Sequence, residues 1–479
     1  MQTIWRRTFR RGAPALGPLA IGGAALVALT IAAPAPAAAQ SRPAFTVPVQ
    51  YVKLPNGLKV VLSPDHTAPT VAVAVYYNIG FRNEPRDRTG FAHLFEHMMF
   101  QGSANLGKME FIRLVSTNGG ILNGSTRFDF TNYFEVVPSN KLETALWAEA
   151  DRMKGLAITQ DNLTNQQGVV KNEVKVNVLN TPYGGFPWLD MPQYANSNWY
   201  NSHNFYGDLS DIDAATLDDV KQFFHTFYVP NNAALAVVGD IDPAVALAMV
   251  KKYFGGIPAG HPPAKPDLTE PRQTVERKFS KVDSLATRPA LAFAYHMPPR
   301  NTPEYYAMAV IEQIMGEGRD GRLYQQLVQK QGLTAEINSS INELGNIYNY
   351  AGPMLWTVSL FHDSDKTPDR IMAAADETIE SLRTTPVDQA TIDRAIIKLR
   401  SGLYDTMGGF FGFGRADLLA AFALFDDDPS RINRLEPEFR KVTPQLVQRT
   451  AEEWLRPTNR TVLVVEAAKA GAAPSKGGN

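Results

Sequence analysis

A stretch near the middle of the chain recurs near its end. Residues 216–238 line up without gaps on residues 443–465, with Thr216 on Thr443, Val220 on Val447, Pro230 on Pro457 and Asn232 on Asn459. Each copy reads as a capped amphipathic helix, a Pro turn and a β-rich strand. A fixed offset of this kind points to internal duplication, so the chain has to fold as two related halves of about 220 residues each. The Pro/Gly-rich run Gly255-Gly-Ile-Pro-Ala-Gly-His-Pro-Pro-Ala-Lys-Pro266 reads as the joint between them. The expected fold class is α+β, with two homologous, duplicated α/β sandwich-like domains over residues 45–255 and 281–467, joined by a linker over 256–280.

Only the first half carries a metal-binding pattern. In Phe91-Ala-His-Leu-Phe-Glu-His-Met-Met-Phe100, His93 and His97 are four apart and share one helix face. Phe91, Leu94, Phe95 and Met98 supply an apolar stripe, and no Pro or Gly interrupts it. Two neutral imidazoles suit zinc, and Glu96 beside them can take a proton from metal-activated water. The chain has eight His, so a chance match to H-x-x-E-H is a roughly one-in-a-hundred event. The order is that of the inverted-motif zincins, and the second half has no copy of it, so one zinc ion per chain is expected. Zinc needs a third protein ligand; by spacing alone Glu143, Glu149, Asp151 and Glu173 all qualify. Imidazole and carboxylate ligands also accept manganese or cobalt.

Upstream, Leu58–Ser63 and Thr70–Tyr77 read as strands, the second a continuous apolar run suited to a buried position. Residues 80–90 form a charged loop into the metal helix. Helices are expected over Lys108–Asn118, Lys141–Met153 and Asn165–Val178, and Ile121–Pro138 reads as a hairpin-like pair of strands. Asn123 and Gly124 are polar and small where a strand ordinarily carries bulk, which marks either a close approach of another backbone or a β-bulge.

A net charge of −1 provides no global field for nucleic acid or an anionic membrane. The first 39 residues read as an export signal: Arg6, Arg7, Arg10 and Arg11, an apolar run over Ala20–Ala33, and the A-x-A site Ala37-Ala-Ala39. Either the general secretory or the twin-arginine route fits, and the expected location is periplasmic or secreted, with no stable membrane insertion after cleavage. The chain contains no Cys, hence no disulfide and no thiol ligand. Residues 468–479, rich in Ala, Gly and Lys, read as a disordered tail.

His93-x-x-Glu-His97, followed by Gly119-Gly-x-x-Asn-Gly-x-Thr126 and Val169-Val-Lys-Asn-Glu173, resembles the pitrilysin/insulysin family of inverted-motif zinc peptidases. The likeness spans residues 48–466 and is strongest to the short bacterial branch related to the mitochondrial processing peptidase. The resemblance implies His93, His97 and Glu173 as zinc ligands, Glu96 as general base, and a fold that forms half of a clamshell chamber. It implies that Gln166, at a position where many members carry an acid, orients a ligating His without adding charge. It implies that Asn123 and Gly124 lie on an edge strand to which substrate adds.

Relatives often carry an Arg and a Tyr after an R-L-Y-x-x-L segment, where they bind the substrate carbonyl and the oxyanion. Here the frame Arg322-Leu-Tyr-Gln-Gln-Leu327 is kept, but the matching positions are Val328 and Ala335, which cannot donate. Loss of such donors costs about a hundred- to a thousandfold in rate. The expectation is a zinc metalloendopeptidase for unfolded peptides that acts as the metal-bearing subunit of a heterodimer, with a homologous partner supplying the Arg/Tyr pair. The alternatives are a homodimer that draws its donor from Arg319, Arg322 or Tyr324, and a non-catalytic scaffold or peptide-binding subunit.

Overall fold

The computed structural model describes residues 45–468, so the export segment over 1–39 and all but the first residue of the 468–479 tail lie outside the described residues. From Thr46 onward the chain packs as one compact unit built on two sheets. The first contains β1 (Gln50–Lys53), β2 (Lys59–Pro64), β3 (Thr70–Tyr77), β4 (Ile121–Thr126), β5 (Thr131–Pro138) and β6 (Ala233–Gly239), in the order β1-β2-β6-β3-β5-β4. The second contains β7 (Arg277–Asp283), β8 (Ala290–His296), β9 (Asn338–Ile341), β10 (Leu355–Phe361) and β11 (Arg460–Ala467), in the order β7-β11-β8-β10-β9. In each sheet one pair is parallel, β2 with β6 and β7 with β11, and all other pairs are antiparallel. Strand β7 begins inside the stretch read from sequence as linker; its polar run Arg-Lys-Phe-Ser-Lys-Val-Asp pairs on one side only.

The repeated segments have matching structures. Thr216 caps helix Leu217–Phe227 by accepting Asp219 N–H at 3.2 Å, and Thr443 caps helix Pro444–Trp454 by accepting Leu446 N–H at 3.2 Å. Asn232 Nδ2 donates to Phe227 O at 2.9 Å, and Asn459 Nδ2 donates to Trp454 O at 2.7 Å. Each Asn ties the end of its helix to the start of the next strand, β6 or β11.

Four helices frame the first sheet's chemistry: α1 (Phe91–Met98), α2 (Glu110–Thr117), α3 (Leu142–Lys154) and α4 (Gln160–Val174), the last continuing into a wider turn over Lys175–Leu179. Successive side chains of a strand face opposite ways, and in β3 both faces are buried. Val71, Val73, Val75 and Tyr77 join a core with Leu94, Phe95 and Leu146 from the first half's own helices. Ala72, Ala74 and Tyr76 face a second core, where helix Phe413–Asp426 of the second half lies across β3 and β6.

The cover is reciprocal. One face of the second sheet (Leu291, Phe293, Tyr295) packs on Met308, Ile311 and Val447 of its own half. Its other face (Ala290, Ala292, Ala294, Leu463) is covered by Met191 and Ala195 on helix Asp190–Ala195, which belongs to the first half. Small Ala side chains on both borrowed faces let a helix approach closely. Each half therefore depends on the other to bury one face of its sheet.

Candidate metal centre

Helix α1 starts where the chain makes a sharp left-handed step at Gly90, φ +81°, with Tyr206 O and Ile212 so close that a Cβ would meet both at 2.8 Å. Its free N–H groups are capped from outside the helix. The carboxylate of Glu84 accepts Gly90 N–H at 2.8 Å and Ala92 N–H at 2.5 Å. Glu84 is fully buried, which pushes its pKa up to about 8, and the two N–H bonds oppose that rise.

One turn further along, His93 and His97 face α4. Their Nε2 atoms stand 3.3 Å apart. Glu173 reaches in from α4, with Oε2 at 3.2 Å from His97 Nε2 and Oε1 at 3.7 Å from His93 Nε2. Donor atoms of all three residues lie within 4.8 Å of one another, the only such group of His, Cys, Asp or Glu among the described residues. Burial lowers the pKa of His93 and favours the neutral ring, whose lone pair a metal needs. Contact with His97, with the pull of both imidazoles, holds Glu173 down at about 2 against partial burial. Two imidazole nitrogens and a carboxylate with no thiolate make a donor set suited to zinc, and this convergence fits a single cation.

The other acids have different partners. Glu143 meets Lys252 and Tyr253 at the surface. Glu149 pairs with the fully buried Arg152, and Asp151 accepts bonds from Ser103 and Asn105. Gln166 is buried on α4, but its amide donates to Asn165 at 2.8 Å, and His93 Nδ1 has no hydrogen-bond partner among the described residues.

Strand β4 forms the edge of the first sheet beside α1. Asn123 is exposed there and lies opposite Phe134, while Gly124 lies opposite Tyr133 in unbroken register, so no bulge is present. Two residues along, Thr126 Oγ1 donates to Glu96 Oε2 at 2.8 Å and fixes the carboxylate between the His pair and the edge strand. Tyr206 packs edge-on against His93, ring centroids 5.1 Å apart, and burial together with Glu173 and Glu96 lifts its phenol to about 12. Thr126 lies within the motif that carried the family resemblance, yet its role depends on β4 lying against α1. Tyr206, 113 positions beyond His93, gives no local signal. In the second half, Val328 is half-buried on the wide turn Gln325–Lys330 and Ala335 is exposed.

Residues 59–184 match the model of the insulinase family (peptidase family M16), and residues 214–399 match that of the peptidase M16 inactive domain. The chain is 26% identical over 427 residues to the zinc protease PqqE of Helicobacter pylori, covering 87% of this chain and 92% of that one. It is 24% identical over 304 residues to the uncharacterized zinc protease YmxG of Bacillus subtilis, covering 62% and 72%. The crystal structure of a protease from Helicobacter pylori superposes with a TM-score of 0.79 at 25% identity, covering 88% of this chain and all of that one. The periplasmic protease PqqL of Escherichia coli shares the fold, with a TM-score of 0.67 at 16% identity; the match covers 87% of this chain but 47% of PqqL. With two domains of the family matched over residues 59–184 and 214–399, the chain belongs to the M16, or pitrilysin, family of peptidases.

Proposed function

We propose that the chain is a zinc metalloendopeptidase acting on unfolded peptides or short polypeptides. The observation that carries this reading is the convergence of His93, His97 and Glu173 within 4.8 Å, with Glu96 next to them and turned toward an open strand edge. Zinc held by these three residues would polarise the scissile carbonyl and acidify a water molecule. Glu96 is placed where it would take a proton from water and hand it to the leaving amine, and Thr126 keeps its carboxylate aimed. An extended peptide laid along β4 at Asn123 and Gly124 gains main-chain hydrogen bonds, which tolerate many sequences.

Val328 and Ala335 offer no side-chain donor for the oxyanion. We therefore place the chain as the metal-bearing subunit of a heterodimer whose homologous partner supplies an Arg/Tyr pair, the two chains together enclosing a chamber. The coverage of 47% of PqqL by this chain is what a two-unit assembly would give. The export signal read in residues 1–39, and the periplasmic description of PqqL, support a periplasmic location.

The test is cleavage of a quenched fluorescent peptide by the zinc-loaded mature chain, alone and mixed with a homologous subunit bearing the Arg/Tyr pair. Activity that appears only with the partner supports the split site. Full activity alone overturns the heterodimer and keeps the peptidase. Silence in both with zinc bound overturns the peptidase in favour of a scaffold. In the active preparation, Glu96→Gln is expected to lose at least about a hundredfold in turnover while zinc content stays at one per chain.

A further inference from the structure

We infer that the half without metal ligands positions the catalytic elements through a buried ion pair, Arg82 with Asp129, which makes these two positioning residues for the reaction. Arg82 is 3% exposed and Asp129 is 1% exposed. Arg82 Nη1 donates to Asp129 Oδ1 and Oδ2 at 3.1 and 3.2 Å, and its Nη2 donates to Pro353 O at 2.7 Å. Asp129 Oδ2 also accepts the N–H groups of Ala351 and Gly352 at 2.9 and 3.3 Å. Residues 351–353 belong to the second half, in the turn before β10. The pair thus grips one backbone turn of that half through three hydrogen bonds.

From the pair, two short paths lead to the site. Asp129 lies in the turn joining β4 to β5, and that turn is fastened to the Arg82 segment: Phe81 N–H donates to Arg127 O at 3.0 Å and Arg82 N–H to Phe128 O at 2.9 Å. The edge strand with Asn123 and Gly124 ends three residues before Asp129. On the other path, Glu84 follows Arg82 by two residues and caps the first turn of α1 through Gly90 and Ala92. One turn of the second half therefore sets the position of the strand expected to hold substrate and of the helix bearing His93, Glu96 and His97.

Cohesion between the halves is already provided by the two borrowed helices. A buried ion pair is a weak stabiliser, because desolvation offsets most of its attraction, but it is exacting about geometry. Reaction rates respond to such geometry: a displacement of about 1 Å can cost on the order of a hundredfold.

The kinetic part of the test rests on the peptidase reading; the exchange part does not. Gly352→Ala perturbs the clamp from the far half, because a Cβ at 352 would overlap Arg82 Nη1. Arg82→Lys keeps the charge but cannot reach all three acceptors, and serves as the second variant if Gly352→Ala does not fold. In the zinc-loaded full chain, assayed with its partner, each is expected to lower kcat about tenfold or more with zinc at one per chain. Amide exchange should rise at Ile121–Thr126 and at Gly90 and Ala92, while β8, β10 and β11 stay protected. Wild-type kinetics and wild-type exchange at those amides would overturn the inference, as would a lowered melting temperature with exchange raised evenly over the chain. Should the wild type cleave nothing, the exchange pattern alone decides it.

Discussion

Strands β2-β6-β3-β5-β4 and β7-β11-β8-β10-β9 follow the same order with the same parallel pair, and the helices after them come in the same sequence along the chain. What differs is how the facing helices are joined. In the first half, α1 and α4 meet through His93, His97 and Glu173, three groups offering lone pairs to one point. In the second half the corresponding pair is Pro303–Met315 and Gln389–Gly408. There Lys398 Nζ reaches the carbonyl of Glu317 at 3.0 Å and the carboxylate of Asp320 at 2.8 Å. One helix pair is arranged to receive a cation; the other supplies its own, tethered to the chain. Nearby Glu312 is buried in a setting that lifts its pKa to about 8, so it remains largely protonated at neutral pH. A shared scaffold thus fixes where helices meet and leaves the chemistry of the contact free to diverge.

Cutting the chain between the halves has the largest expected effect. Residues 46–260 and 261–467 expressed separately are each expected to lack a cooperative melt by circular dichroism, because each sheet loses the helix covering one face. Co-expression should restore the melt, and a half that folds alone would refute the mutual dependence.

A smaller effect concerns the buried acid of the second half. In the unfolded chain Glu312 ionises near 4.5, whereas the folded protein keeps it protonated up to about 8. Its raised pKa means that stability is fully present below 4.5 and is lost as pH rises through 8. Glu312→Gln should therefore stabilise the protein at pH 8 by on the order of a few kcal/mol and flatten that part of the urea-denaturation profile. An unchanged profile would show that Glu312 is not held neutral.

The smallest change is at the Glu96 carboxylate. Thr126→Val removes the donor to Glu96 with little change in volume and should lower kcat by about tenfold, with zinc binding unchanged. An equal loss of zinc would mean that Thr126 shapes the metal-binding helix instead.

Local patterns were legible where both spacing and chemistry were local. The metal helix, β3, the hairpin and the twin capped segments with Asn232 and Asn459 all appear close to where their residues place them. Strands β1, β7, β9 and β10 were not legible. The first three are short or polar, and β7 pairs only with β11, far away in sequence. The third donor could not be chosen from spacing, since Glu149 and Asp151 look equally available until Arg152, Ser103 and Asn105 are seen to occupy them. The charged loop over residues 80–90 conceals two fully enclosed side chains, Arg82 and Glu84, whose partners come from elsewhere in the fold.

The exchanged helices also bear on how such genes can change length. Phe413–Asp426 covers the first sheet and Asp190–Ala195 the second, so a break in the linker would leave each sheet with one face bare. The smallest module that can be copied, fused or lost intact is the pair. Growth of the lineage should then proceed in steps of one whole chain.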